Sequence, residues 1–189
     1  MHDFEIPTTR RQLLLLGASL AVGALLPTGA RAARRSPGLG ERVPPKLELL
    51  NLHTGESLQA VYFEDGRYLP DALAEIDVVL RDHRTGEVHP IEPRLLDLLH
   101  RLSASLESDA PYHVISGYRS PATNAMLHAE SPKVAAHSLH MQGWAIDVRL
   151  PGRELAELHR AALALQGGGV GYYPSSDFVH VDVGRVRTW

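Results

Sequence analysis

The sequence predicts an α+β fold: a small, mainly antiparallel β-sheet with helices packed on one face. Three observations predict it. Two apolar runs flank a turn early in the chain, a clear helical period follows, and two strictly alternating runs occupy the C-terminal third. With 189 residues, of which 44% are hydrophobic and 22% charged, the chain can bury one core, and a single folded domain over 46–189 is expected.

The elements follow in order. Leu47 to Leu52 and Leu58 to Phe63 are separated by His53-Thr54-Gly55-Glu56, which reads as a hairpin. Asp71 to Leu80 starts after Pro70 with apolar residues at helical spacing. Glu92 to Leu106 does so more clearly, placing Leu95, Leu98, Leu99 and Leu102 on one face. His89 and His100 lie near this pair and read as structural, since neither has a ligand-type residue at metal spacing. His113 to Ser116 is a short buried strand, Pro121 opens a short helix through Leu127, and Gly143 breaks the chain. Trp144 to Val148 alternates, Gly152 to Leu165 is helical, Gly169 to Tyr173 is a short strand, and Phe178 to Val183 alternates again.

Composition narrows the function. The formal charge of -3 and an aromatic content of 6% offer no basic stripe with stacking residues, so nucleic acid is not expected as a partner. The absence of cysteine removes disulfides, thiol nucleophiles and cysteine-ligated zinc, leaving histidine and carboxylate as metal ligands. At the N-terminus, Arg10-Arg11 precedes an apolar run from Gln12 to Leu26, followed by Ala30-Arg31-Ala32 at peptidase-type spacing. The run falls short of the roughly 20 apolar residues a span needs. Residues 1–32 therefore read as an export signal resembling the twin-arginine type. This implies passage through the twin-arginine machinery, a periplasmic or cell-envelope location, and no stable membrane insertion once the signal is removed. Residues 33–45, rich in Pro, Gly and Arg, read as a disordered leader.

The chemistry concentrates in 137–147, HSLHMQGWAID. In the strand from Trp144, the side chains of Trp144, Ile146 and Val148 share one face, and those of Ala145, Asp147 and Arg149 the other. In the strand from Phe178, Val179, Val181 and Val183 form the apolar face while His180 and Asp182 point away. If both strands bury their apolar faces in one sheet, Asp147 and His180 emerge together, and His140 joins them from the preceding loop. Two imidazoles and one carboxylate with an open fourth position are the ligand set of a catalytic zinc. The plainer alternatives are a hydrogen-bonded His140–Asp147 pair beside a sheet histidine, or ligation through the His137/His140 pair, with His137 otherwise at the surface.

Ser138 to Asp147 resembles the SxHxxGxAxD motif of the zinc D-Ala-D-Ala metallopeptidases, family M15, with the hedgehog/DD-peptidase fold. Ser116-Gly117-Tyr118-Arg119-Ser120, Gly168-Gly169-Val170-Gly171-Tyr172-Tyr173 and Phe178-Val179-His180-Val181-Asp182 extend the likeness to the DUF882 (YcbK-like) branch over roughly residues 46 to 189. The resemblance implies Zn2+ held by His140, Asp147 and His180, with Arg119 gripping substrate and steadying the oxyanion. Asp177, three residues before His180, falls where other branches carry a glutamate base. For it to serve, the chain must turn before Phe178. Asp182 is the competing base, or else the partner that orients a ligating histidine. Trp144 reads as core. The implied activity is hydrolysis of peptide stems or crosslinks of peptidoglycan, as an endopeptidase ahead of a D,D-carboxypeptidase. The rival from another class is a catalytically silent, zinc-dependent module that binds cell-wall peptide.

Overall fold

The computed structural model describes residues 45–131 and 134–189. The expected export signal, and the leader apart from Pro45, lie outside the described residues. Among those described, no helix is long and apolar enough to cross a membrane.

Strands β1 (Lys46–Asn51) and β2 (Ser57–Val61) form the expected hairpin, with Leu47 opposite Ala60 and Leu49 opposite Leu58. A small separate ribbon, β3 (Phe63–Glu64) with β4 (Arg67–Tyr68), follows it; its two-residue strands are too short to leave a periodic signal. Helix α1 (Pro70–Val79) and helix α2 (Pro93–Ser105) both open on proline, whose fixed φ suits the first turn and whose missing N–H is not needed there. The Glu92 carboxylate caps α2 by accepting from the Arg94 N–H.

The remaining elements are β5 (Tyr112–Ser116), α3 (Pro121–Glu130), β6 (Ala145–Arg149), α4 (Leu155–Leu165), β7 (Gly169–Tyr173), β8 (Phe178–Asp182) and β9 (Arg187–Thr188). The main sheet runs β2-β1-β5-β6-β8-β7-β9. All its pairings are antiparallel except β1 with β5 and β7 with β9. Residues 152–154 form the turn before α4, so that helix begins later than the sequence pattern suggests.

The core faces of the strands and helices meet in one apolar cluster. Leu49, Tyr112, Val114, Ile146, Val148, Val179 and Val181 from the sheet pack with Ile76 of α1, Leu95, Leu96, Leu99 and Leu102 of α2, and Leu158 of α4. Each fully buried Leu of α2 contributes about 1.5–3 kcal/mol relative to an exposed position. Helix α3 departs from this plan, because none of its residues enters the cluster and its buried side chains are Thr123 and Asn124. Asn124 instead donates through Nδ2 to the carbonyls of Ala135 and Ala136, holding the segment that leads into 137–147. Trp144 also departs from expectation: it precedes β6 and is only partly buried, with the Arg94 guanidinium 5.9 Å from its ring centroid. A cation over the ring face stands where core packing was expected.

Candidate metal centre

Register places the central residues. In the β6–β8 pairing, Asp147 lies directly opposite His180, and alternation sends both side chains to the face away from the core. His140 arrives from the 3-10 turn Leu139–Gln142, capped by the Ser138 hydroxyl. That turn ends at Gly143, whose φ of 66° is left-handed and whose missing side chain matters: a Cβ there would lie 2.2 Å from the Pro90 carbonyl oxygen. The Gly143 carbonyl in turn accepts from the Glu92 N–H at 3.0 Å, locking the turn against the start of α2.

His140, Asp147 and His180 each offer a ligand atom, and these atoms all lie within 4.8 Å of one another. All three residues are buried. His140 Nδ1 faces the Gly117 carbonyl oxygen at 2.7 Å. A carbonyl only accepts, so Nδ1 carries the proton and the Nε2 lone pair is turned inward. His180 Nε2 donates to Asp182 Oδ2 at 3.1 Å, which leaves Nδ1 inward. The two inward nitrogens are 3.2 Å apart, and Asp147 Oδ1 stands 3.2 Å from the first and 2.8 Å from the second. Two lone pairs and a carboxylate oxygen converging in a buried pocket repel one another unless a cation, a proton or a metal ion, lies between them.

The charges around the cluster are arranged for that. Burial opposes ionisation of Asp147, yet the His140 and His180 rings reverse this and hold its carboxyl below the usual carboxylate range. Desolvation pushes His140 down. Burial also works against His180, but hydrogen bonds to Asp147 and Asp182 carry it above the ordinary imidazole value.

Arg119 joins the cluster from the loop after β5: one guanidinium N–H donates to Asp147 Oδ2, and Nε donates to Ser116 Oγ at 2.9 Å. It therefore positions the carboxylate while remaining on the wall of the cleft above the cluster.

Neither carboxylate expected as a base stands free in the cleft. Asp182 is fully buried, and its oxygens accept from His180, the Gly169 and Gly184 N–H groups, and Arg187. With that many donors it orients His180 and has no free lone pair facing the cleft. Asp177 does follow a turn: it caps the 3-10 turn Pro174–Ser176 with a left-handed φ of 54°, as its assignment required. Its exposed carboxylate, however, accepts from Arg149 at 2.6 Å and borders a separate hollow with His113 and Arg153. The structure thus brings Asp182 to the cluster as a buried partner and does not bring Asp177 into the cleft. His137 stands outside the cluster but lines the cleft.

The cleft, of about 320 Å³, is completed by Tyr173, Phe178, Arg187 and Trp189. Sequence reasoning missed Trp189, Arg187 and the Gly117 carbonyl. A two-residue strand such as β9 has no period to detect, and a carbonyl oxygen carries no residue-type signature.

The M15 peptidase family model described as peptidoglycan L,D-endopeptidase MepK matches residues 41–189. The protein named peptidoglycan L,D-endopeptidase MepK in Escherichia coli (strain K12) is 43% identical over 189 residues, covering 100% of both chains. A relative in Haemophilus influenzae, described as a probable peptidoglycan L,D-endopeptidase MepK, is 39% identical over 95% of this chain and 94% of its own. Among solved structures, the L-Ala D-Glu endopeptidase ChiX of Serratia marcescens aligns at 19% identity with a TM-score of 0.34, covering 50% of this chain and 68% of that one, too distant to inform the fold. With a full-length relative at this identity and a family model spanning the whole folded domain, the chain belongs to the M15 peptidase family, in the MepK branch.

Proposed function

We infer that the protein is a zinc peptidase of the cell envelope that hydrolyses L,D-peptide bonds in the stems and crosslinks of peptidoglycan. The observation that carries this reading is the convergence of His140 Nε2, His180 Nδ1 and Asp147 Oδ1 beneath an open cleft, with the outer nitrogen of each imidazole already engaged. The membership and names of the relatives supply the substrate class. Two neutral imidazoles and one carboxylate suit zinc better than magnesium or calcium, which prefer all-oxygen sites.

Zinc held there supplies Lewis acidity toward a carbonyl and toward water. The chain supplies the rest. Arg119 keeps Asp147 oriented and presents permanent positive charge to the cleft, where it meets developing negative charge on the carbonyl oxygen or a carboxylate of the substrate. Asp182 fixes the His180 ring. His137 lines the cleft beside the cluster, so in this reading it is the proton acceptor for the attacking water. Asp177, placed three residues before His180, is the competing acceptor, but it must first leave Arg149. Export through the twin-arginine machinery would deliver the protein to this substrate folded, with metal in place.

The test is digestion of purified peptidoglycan followed by mass analysis of the released peptides, with and without a chelator. Cleavage at L,D bonds that stops with chelator and returns with zinc is expected. Tight binding to peptidoglycan with no released peptide, at any zinc concentration, would instead make the protein a silent binding module.

A further inference from the structure

The cleft has one wall whose construction the hydrolytic machinery does not explain. Trp189, the last residue of the sequence, is 49% exposed, and it is the only aromatic among the large exposed apolar side chains of the described residues. An exposed indole is ordinarily free to move. This one is held at several points. Its backbone N–H donates to the Val170 carbonyl at 3.3 Å, and its carbonyl accepts from the Tyr172 N–H at 3.1 Å. Its Nε1 donates to the Tyr173 hydroxyl at 2.6 Å. The Arg187 guanidinium lies 4.8 Å from the ring centroid, and Arg187 is itself held by Asp182.

The seat for the ring is cut into β7. Gly171 lies opposite His180 in the β7–β8 pairing, and a Cβ at Gly171 would come within 2.7 Å of the indole. The ring thus occupies the place of a side chain on the strand beside the cluster, with its centroid 5.1 Å from that of His180. Tyr173 and Phe178, stacked at 4.6 Å, continue the same wall.

We propose that Trp189 is a specificity-determining residue: the part of its ring exposed in the cleft is the platform on which the aliphatic part of the stem-peptide residue next to the scissile bond packs. The proposal rests on the peptidoglycan reading above. A platform one ring away from a metal-cluster histidine can be reached only by groups flanking the bond to be cut, which favours the peptide over the more distant glycan strand. An immobilised aromatic surface offers apolar contact at little entropic cost, because its rotamer is fixed before the substrate arrives.

The experiment compares wild type, Trp189→Ala and Trp189→Phe, each loaded with zinc, on muropeptide dimers of defined linkage. Zinc content is measured alongside. Trp189→Ala should raise KM roughly tenfold with kcat and zinc content nearly unchanged, and Trp189→Phe should recover most of the loss, the scale expected for one aromatic contact. An unchanged KM, or a rate loss that simply follows zinc loss, would overturn the proposal while leaving the peptidase reading intact. If the wild type cuts no dimer, the peptidase reading itself fails, and binding decides the platform. In a Trp144→Phe background Trp189 is the sole remaining tryptophan of the two in the sequence. A saturable change in its emission on titrating the zinc-loaded protein with stem peptides supports the platform, and a flat titration refutes it.

Discussion

His180 gathers most of the logic of the site, touching Asp147 through one ring nitrogen and Asp182 through the other. Replacing it with Ala should abolish zinc binding and hydrolysis together, which metal analysis of the purified variant checks. Asp182→Asn should act more gently, weakening zinc affinity by about 10- to 100-fold while excess zinc restores much of the rate, because the residue orients a ligand without contacting the metal. The proton acceptor is decided by two further variants assayed at saturating zinc. If His137 takes the proton, His137→Gln should lower kcat by about 100-fold or more with zinc content intact, and Asp177→Asn should change little. The reverse pattern would mean that Asp177 releases Arg149 and turns into the cleft during turnover. Much of this site was legible residue by residue. Alternation put Asp147 and His180 on one face once both strands were taken to bury their apolar faces in one sheet, with Asp182 on the face of His180. The direction of Asp177 was not legible, since a left-handed residue at the end of a 3-10 turn obeys no strand period, and only the structure reveals Arg149 as its partner.

At the scale of elements, the helices and the hairpin could be read because each buries a continuous apolar face, as Leu95, Leu98, Leu99 and Leu102 do. Strand order could not. The parallel neighbour β1–β5 joins residues some sixty positions apart, and nothing local in Leu49 or Tyr112 announces that they pair. What locks these elements to the site is Asp82, just after α1. One oxygen accepts from the Arg84 N–H at 2.9 Å and the other from the buried Ser120 N–H at 2.8 Å, so the carboxylate ties the end of α1 to the loop bearing Arg119 and to the start of α3. The Leu80 carbonyl adds a backbone bond from the Tyr118 N–H. Asp82→Ala leaves the Ser120 donor buried without a partner, which costs about 1–3 kcal/mol. Urea unfolding should record that loss. Because the Gly117 carbonyl that fixes the His140 tautomer lies on the same loop, zinc affinity should fall as well, although Asp82 does not touch the cluster. A destabilised variant with undiminished zinc affinity would show that the loop is held independently.

For the whole molecule, protons and a metal ion held by His140, Asp147 and His180 would compete for one site, and the directions of the pKa shifts fix how. Asp82, Asp147 and Asp182 are each held below the usual carboxylate range: burial works against all three but is reversed by hydrogen-bond donors at Asp82, by the His140 and His180 rings at Asp147, and by His180, Arg187 and backbone N–H groups at Asp182. Groups of this kind stabilise the fold above their unfolded values of about 4, and that stability is lost as the pH falls through their depressed values. His180 is raised, so without metal its stabilising contribution is complete below the unfolded imidazole value of about 6.5 and fades as the pH rises through its higher folded value. His140, kept neutral by burial, works the other way, favouring the fold less as the pH falls below about 6.5. The two histidines therefore act on opposite sides of the unfolded imidazole value in the metal-free protein, a balance that puts their joint contribution at its greatest near about pH 6.5, falling below it through His140 and above it through His180. Zinc held there would break that balance, because it would need both inward nitrogens unprotonated and would have to displace the proton that His180 shares with Asp147. The rise in melting temperature at fixed zinc should be large near pH 8, shrink as the pH falls through the His180 titration, and vanish by about pH 5. Calorimetric scans with and without zinc across that range measure it. A zinc-induced shift as large at pH 5 as at pH 8 would mean that no proton leaves His180 when metal binds, and that the ion sits elsewhere than between His140, Asp147 and His180.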